Sequence, residues 1–210
     1  MLIAALFSLL TLTGTDALLS SSHIQETPVL VTEAELQLAL RDLWTGHVFW
    51  VRSTILASHY DDEAAIRASE ARVLSNARAL ADAVKPLYGE EAADQLYELL
   101  GGHYGGIKEY MQANFARDQQ AANTAAKKVT ANAEEIADFL SAANPHLPKN
   151  AVLPLLIAHG GHHMQQIEAI REGNFSGEAD VWEAMLGHMY TIADAMASAI
   201  TKQFPTEFAN

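Results

Sequence analysis

Histidines recur along this sequence at a regular spacing that could build a metal site. Shifting the chain against itself by 56 residues, without gaps, aligns His47, His103 and His159. The same shift aligns a second polar column, which consists of Asn76, Asn132 and His188. Imidazole nitrogens and amide oxygens can both donate to a metal ion, so two polar columns in register indicate a candidate binding layer.

A histidine pair adds to the metal interpretation. His159 and His163 are four residues apart, about one helical turn, so both side chains can reach one ion. The sequence contains no cysteine, which excludes thiolate ligands, disulfides and cysteine nucleophiles. Neutral imidazoles favour Zn, Cu(II) or Ni over Ca or Mg. The predicted ligands are His47, His103, His159, His163 and His188.

Glycines are concentrated in the same region. A glycine inside a helix costs about 1 kcal/mol relative to alanine, so the Gly-Gly-His-Tyr-Gly-Gly run at residues 101–106 lowers helix propensity. Missing side chains either let helices approach closely or leave a cavity beside the imidazoles. We interpret Gly102 and Gly106, with the amides of Asn76 and Asn132, as the lining of such a cavity for a cofactor or small ligand.

The elements that must position these residues are helices. From Thr32 onward, apolar residues recur at three- and four-residue steps, and no alternating strand pattern competes. Breaks near residues 61–62, 86–89, 117–118, 144–148 and 173–174 divide the region 33–210 into six helices. Together with the 56-residue repeat, this pattern predicts an all-α fold, a six-helix up-down bundle made of three tandem helical hairpins.

The spacings place both polar columns at one height. Within a hairpin the two columns are 29 residues apart, as from His47 to Asn76, and the midpoint falls at a predicted break. Residues equidistant from a turn lie side by side in antiparallel helices, so all six side chains should form one layer at the waist of the bundle. Apolar neighbours on the same helix faces indicate that the imidazoles point inward.

Several interpretations of this layer are open. Several imidazoles could converge on a divalent transition metal ion. Alternatively, the layer only sets helix register in a non-catalytic structural or interaction module. Its hydrogen-bonded pairs would then be His47 with Asn76, His103 with Asn132, and His159 with His188. A weaker alternative is a small enzyme or haem-type binder with two opposed imidazoles, although no nucleophile elbow or buried carboxylate pair predicts catalysis.

Charge and the N-terminal residues bear on partners and localisation. Thirteen Lys and Arg against 26 Asp and Glu give a formal charge of −13, which argues against binding nucleic acid or an anionic membrane. Residues 2–12 form an apolar stretch, and a small-x-small motif follows at Thr15 and Ala17, which predicts a signal peptide or anchor over residues 1–17 and then a linker over 18–32. We therefore expect a secreted or cell-surface protein that meets the membrane only through an uncleaved N-terminal segment.

The residues around His47 resemble a known signature. Residues 43–52 read Leu-Trp-Thr-Gly-His-Val-Phe-Trp-Val-Arg. They are similar to the L-W-x-x-H-V-x-W-x-R signature of a family of small bacterial helical proteins, often secreted and without established activity. Further similarities at residues 85–89, 131–145 and 202–205 extend the resemblance over residues 40–205. It implies an all-helical fold with His or Asn in the layer. Some members are labelled acetylglutamate kinase, but this sequence has no glycine-rich phosphate loop.

Overall fold

The computed structural model describes residues 31–209, so the predicted signal segment 1–17 and the linker up to residue 30 lie outside the described residues. The chain forms six long helices joined by short turns. The helices are α1 (Glu33–His59), α2 (Glu63–Tyr88), α3 (Glu90–Phe115), α4 (Gln119–Ala143), α5 (Lys149–Arg171) and α6 (Phe175–Gln203). The predicted all-α class and the number of helices are confirmed.

The turns that follow α1, α3 and α5 share one local chemistry. The next helix begins after an N-cap whose side-chain oxygen accepts a hydrogen bond from the backbone amide three residues later. These caps are Asp62, Asp118 and Asn174. The residue before each cap has a positive φ, which reverses the chain in few residues. Those residues are Asp61 (54°), Arg117 (58°) and Gly173 (69°).

The prediction that residues 18–32 are all linker is wrong at its end. Val31–Thr32 forms a short strand, β1, which pairs in parallel with β2, Phe208–Ala209. A two-residue strand is too short to show alternation, and its partner lies at the far end of the chain, so sequence patterns did not indicate it. Thr32 also caps α1, because its side chain and Glu35 form a capping box.

The six helices close into a ring with three of them in contact at the centre. Each helix packs against the next one in the chain, and α6 packs against α1. In addition, α1, α3 and α5 contact one another, so α2, α4 and α6 each bridge two of these central helices. Side chains that point inward from α1, α3 and α5 at one height therefore meet near the centre of the bundle.

Buried apolar side chains fill the bundle on both sides of its waist. One cluster includes Leu40 of α1, and another includes Ile55 of α1 with Ile107 and Ile170. Because His47 lies between Leu40 and Ile55 on α1, the predicted polar layer falls between two apolar regions, whose burial drives folding. None of the described helices has an apolar stretch long enough to cross a lipid bilayer.

Several glycines allow helices to pack closely. A Cβ atom at Gly106 would lie 3.0 Å from Val129 Cγ2 and 3.6 Å from the Val129 backbone nitrogen, and one at Gly160 would lie 2.9 Å from Val129 Cγ1. At Gly102 the nearest atom would be Asn132 Nδ2, at 3.2 Å. These three glycines therefore make room for α4 between α3 and α5.

Alanine substitutions should separate these glycines from their neighbours in sequence. A Cβ atom at Gly105 would have no neighbouring atom within 4 Å, so Gly105→Ala should raise the free energy of unfolding by up to about 1 kcal/mol. Gly106→Ala would place its Cβ atom only 3.0 Å from Cγ2 of the buried, β-branched Val129 and should instead lower the free energy of unfolding by about 1–3 kcal/mol, because this part of the core becomes overpacked. Urea unfolding measures both, and an equal gain from the two changes would contradict this packing.

Candidate metal centre

Four histidines meet where α1, α3 and α5 come together. His47 of α1, His103 of α3, and His159 and His163 of α5 each offer a ring nitrogen, and these atoms all lie within 4.8 Å of one another. We call this group the imidazole cluster. Its residues are 0–4% exposed, and their ring centroids are 4.6 to 6.4 Å apart. Three separate helices thus supply one compact set of nitrogen donors.

Among residues 31–209, no hydrogen bond of ordinary geometry reaches a ring nitrogen of the imidazole cluster. Both ring nitrogens of all four histidines are buried and lack a partner among the described residues. A neutral imidazole carries one donor and one acceptor, and an unsatisfied buried polar group costs about 1–3 kcal/mol. Without a ligand, the cluster therefore lowers the stability of the folded protein. A ligand that bonds to the ring nitrogens would offset part of this free-energy penalty.

Burial keeps the four imidazoles neutral. It lowers the pKa of His47 to about 3 and the pKa of His103 to about 4. The pKa values of His159 and His163 lie well below the usual value, first because of burial and second because of the neighbouring imidazoles. A neutral imidazole keeps a lone pair on one ring nitrogen, which is the form that binds metal ions.

The structure does not bring His188 into the imidazole cluster. Its Nε2 lies 2.8 Å from the backbone oxygen of Leu155, and its ring packs against His162 with centroids 5.4 Å apart. The half-buried His188 therefore faces the backbone of α5, away from the four buried rings. The sequence spacing predicted that His188 lies in the polar layer, but it could not predict which way its ring points.

The hydrogen bonds that the two asparagines donate do not go to the histidines expected to pair with them in a purely structural layer. Asn76 Nδ2 donates to the backbone oxygen of Leu43 at 2.9 Å, and Asn132 Nδ2 donates to that of Leu99 at 3.1 Å. Each acceptor lies one turn before a cluster histidine. The amides reach this backbone because glycine occupies the facing position, as at Gly46, where a Cβ atom would lie 3.0 Å from Asn76 Nδ2.

The glycines predicted to bind a cofactor lie elsewhere. A cavity beside the imidazole cluster is lined by three of the histidines and by apolar residues, and neither Gly102 nor Gly106 is among them. Both glycines face α4, and the Nδ2 atoms of Asn76 and Asn132 donate to backbone oxygens, while their buried Oδ1 atoms have no partner among residues 31–209. The two glycines let α4 pack closely, because atoms of α4 fill the space beside them. The two asparagines tie α2 and α4 to the backbone of α1 and α3.

A buried carboxylate near the cluster was not found from the sequence. Glu178 of α6 is 2% exposed and accepts two hydrogen bonds from Arg52, at 2.5 and 2.6 Å. Gln166, which follows His163 by three residues on α5, donates to the same carboxylate at 3.2 Å. Glu178 lies in the first turn of α6, where an acidic residue is ordinary, so only packing reveals its burial.

None of the family models, curated proteins or solved structures with which the chain was compared matches it. The resemblance of residues 43–52 to the L-W-x-x-H-V-x-W-x-R family stays a prediction. The function of the imidazole cluster is therefore argued from its own geometry and chemistry.

The lowered pKa values predict that the metal-free protein loses stability in acid. Unfolding returns each imidazole to an ordinary pKa near 6.5, so below that pH the unfolded chain binds protons that the native state does not. The contribution of these histidines to the free energy of unfolding is therefore greatest above about pH 7. It decreases as the pH falls, until the native pKa values are reached, about 4 for His103 and about 3 for His47. Each histidine should contribute a slope of about 1.4 kcal/mol per pH unit.

Urea unfolding between pH 7 and 4.5, in the presence of a chelator, measures this slope. His103→Leu should reduce it by about 1.4 kcal/mol per pH unit, since one proton-binding group is removed from the unfolded state only. An unaltered slope in His103→Leu would show that this histidine is not held neutral.

Breaking the buried ion pair should be costly. Arg52→Met leaves the carboxylate of Glu178 buried without its cation, and the free energy of unfolding should fall by about 3–5 kcal/mol. The matched control is Arg67→Met, which breaks the exposed pair with Glu63 and should cost less than about 1 kcal/mol. Equal losses in the two variants would contradict this assignment.

Proposed function

We propose that this protein binds a divalent transition metal ion at the imidazole cluster, with His47, His103, His159 and His163 as ligands. The observation that carries the proposal is the convergence of four buried imidazoles whose ring nitrogens lie within 4.8 Å and have no other partner in the described part of the chain. Imidazole donors suit Zn, Cu and Ni.

The dimensions of the cluster suit a four-coordinate ion. Tetrahedral coordination with metal–nitrogen distances of about 2.0–2.1 Å places ligand nitrogens roughly 3.4 Å apart. The nitrogens of the cluster lie within 4.8 Å, so small side-chain rotations bring them to coordination distance. Because the ligands come from α1, α3 and α5, a bound ion links the three central helices and stabilises the fold in proportion to its occupancy.

The surrounding architecture agrees with a three-fold repeat. We propose that the bundle is built up-down from three tandem 56-residue hairpins, each contributing one central helix. The support is that the N-caps and the positive-φ residues recur at 56-residue intervals. The side-chain bonds from Asn76, Asn132 and His188 to the preceding helix recur at the same interval. Such a repeat brings equivalent histidines to one point.

Export and family membership are further proposals with support from the sequence alone. Residues 1–17 have the apolar run and small-x-small motif of a signal peptide or anchor. Residues 43–52 resemble the signature of the small, often secreted helical family. A secreted location would expose the protein to extracellular metal ions.

Titration of untagged protein with Zn, Cu and Ni tests the metal site. We expect saturable binding of one ion per chain, with a melting temperature that rises as the free ion concentration increases, because the ion binds only the native cluster. Isothermal titration calorimetry and thermal unfolding measure the two effects. If no ion binds more tightly than about 10 μM, roughly −7 kcal/mol, the layer is structural and only sets helix register.

Histidine variants identify the ligands. Removing a direct ligand, as in His103→Ala or His163→Ala, should weaken binding by more than the 10–100-fold that loss of an outer partner typically costs. His188→Ala and His146→Ala should leave the affinity unchanged, because neither ring belongs to the cluster. Equal losses of metal affinity in His188→Ala and His103→Ala would contradict the four-histidine site. They would show that the ligands include His188, as the sequence alone predicted.

A further inference from the structure

An internal cavity of about 50 Å³ lies directly beside the imidazole cluster. The rings of His47, His103 and His159 form part of its wall. Apart from these rings and the indole of Trp44, the lining side chains are aliphatic or methionine, and no charged side chain of residues 31–209 lines it. The proposed metal site thus faces an almost entirely apolar space.

A second apolar cavity, of about 30 Å³, continues from the first toward the turn between α4 and α5. The two cavities share five lining residues. The shared residues are Val84, Leu96, Leu140, Leu147 and Met196. Leu147 belongs to the α4–α5 turn, so the apolar space extends from the waist to one end of the bundle. The two cavities are therefore neighbours, separated by the apolar side chains that line both.

Size and polarity restrict what the first cavity can hold. An apolar cavity of about 150 Å³ stays dry and binds benzene or xenon, and this cavity has about a third of that volume. A charged ligand would lose its hydration without a counter-charge, and the only polar groups in the wall are the indole and imidazole nitrogens. A neutral molecule of two heavy atoms satisfies both restrictions.

We propose that this cavity is a binding site for a neutral diatomic gas such as O₂, NO or CO, held against the imidazole cluster. Three of the four proposed metal ligands line the cavity, whereas His163 does not. A gas molecule in the cavity therefore lies on the side of the cluster formed by His47, His103 and His159. Its contact with a metal ion rests on the proposed function; its binding in the cavity does not.

Xenon, an apolar atom of similar size, tests the cavity in metal-free protein. We expect a saturable ¹²⁹Xe chemical-shift change and displacement of xenon by CO. Ala133 lines the cavity and is 1% exposed, so Ala133→Val should fill the space and weaken xenon binding at least about tenfold. Ile136→Phe is a second blocking variant from the same wall.

Ala125→Val is the matched control, since Ala125 is an equally buried alanine of the same helix in a different apolar cluster and does not line the cavity. It should bind xenon as the wild type does. No saturable xenon binding by the wild type would overturn the proposal. Xenon affinity equal to that of the wild type in both folded variants, Ala133→Val and Ile136→Phe, would also overturn it.

Copper-loaded, ascorbate-reduced protein under CO tests the contact with the ion. We expect an infrared carbonyl band that the metal-free protein lacks and that Ala133→Val loses while its copper content is unchanged. Bound copper without a carbonyl band would overturn the placement of the gas against the ion. If copper does not bind, the placement of the gas against a copper ion is overturned, whereas the Zn and Ni titrations still decide the proposed metal site and the xenon titration of metal-free protein still decides whether the cavity is a gas site.

Discussion

The waist of this bundle has to keep four neutral imidazoles together, out of water and without hydrogen-bond partners among residues 31–209. Their ring nitrogens are buried on every side, and burial disfavours the charged form of each ring. The free-energy cost is offset by the apolar clusters that fill the bundle above and below the waist. The packing of the helices around the imidazole cluster depends on the balance between this cost and the free energy gained from apolar burial.

The helices approach closely at the waist because small residues face polar ones. Gly46 and Gly102 leave space for two asparagine amides, which donate to backbone oxygens of the neighbouring central helix. On α5 and α6, Ala158 and His188 stand 56 residues after Gly102 and Asn132, and the longer imidazole reaches the oxygen of Leu155. Each outer helix is thus tied to the backbone of a central helix, which leaves the cluster histidines free of these bonds.

The same arrangement gives the site its chemical character. Neutral nitrogen donors from α1, α3 and α5 surround one point, and the adjoining space is apolar and small. A transition metal ion fits the donors, whereas a charged substrate would find no counter-charge in the cavity wall. Hydrogen bonds link Glu178 of α6 to Arg52 of α1 and to Gln166 of α5, one turn beyond His163, so three helices are joined beside the cluster.

Periodicity and the 56-residue spacing were sufficient to predict the six helices, the positions of their turns and the common height of the histidines, because hydrophobic faces and turn residues are local signals. They could not predict the direction of His188, the backbone bonds of the asparagines, the burial of Glu178 or the short parallel strand pair. Each of these depends on which surfaces meet when α1, α3 and α5 pack together and Val31–Thr32 pairs with Phe208–Ala209. The sequence by itself predicted which residues belong to the waist. Only the tertiary structure decided which of their side chains turn inward and which bond to a neighbouring helix, because side-chain direction depends on contacts between residues far apart in the chain.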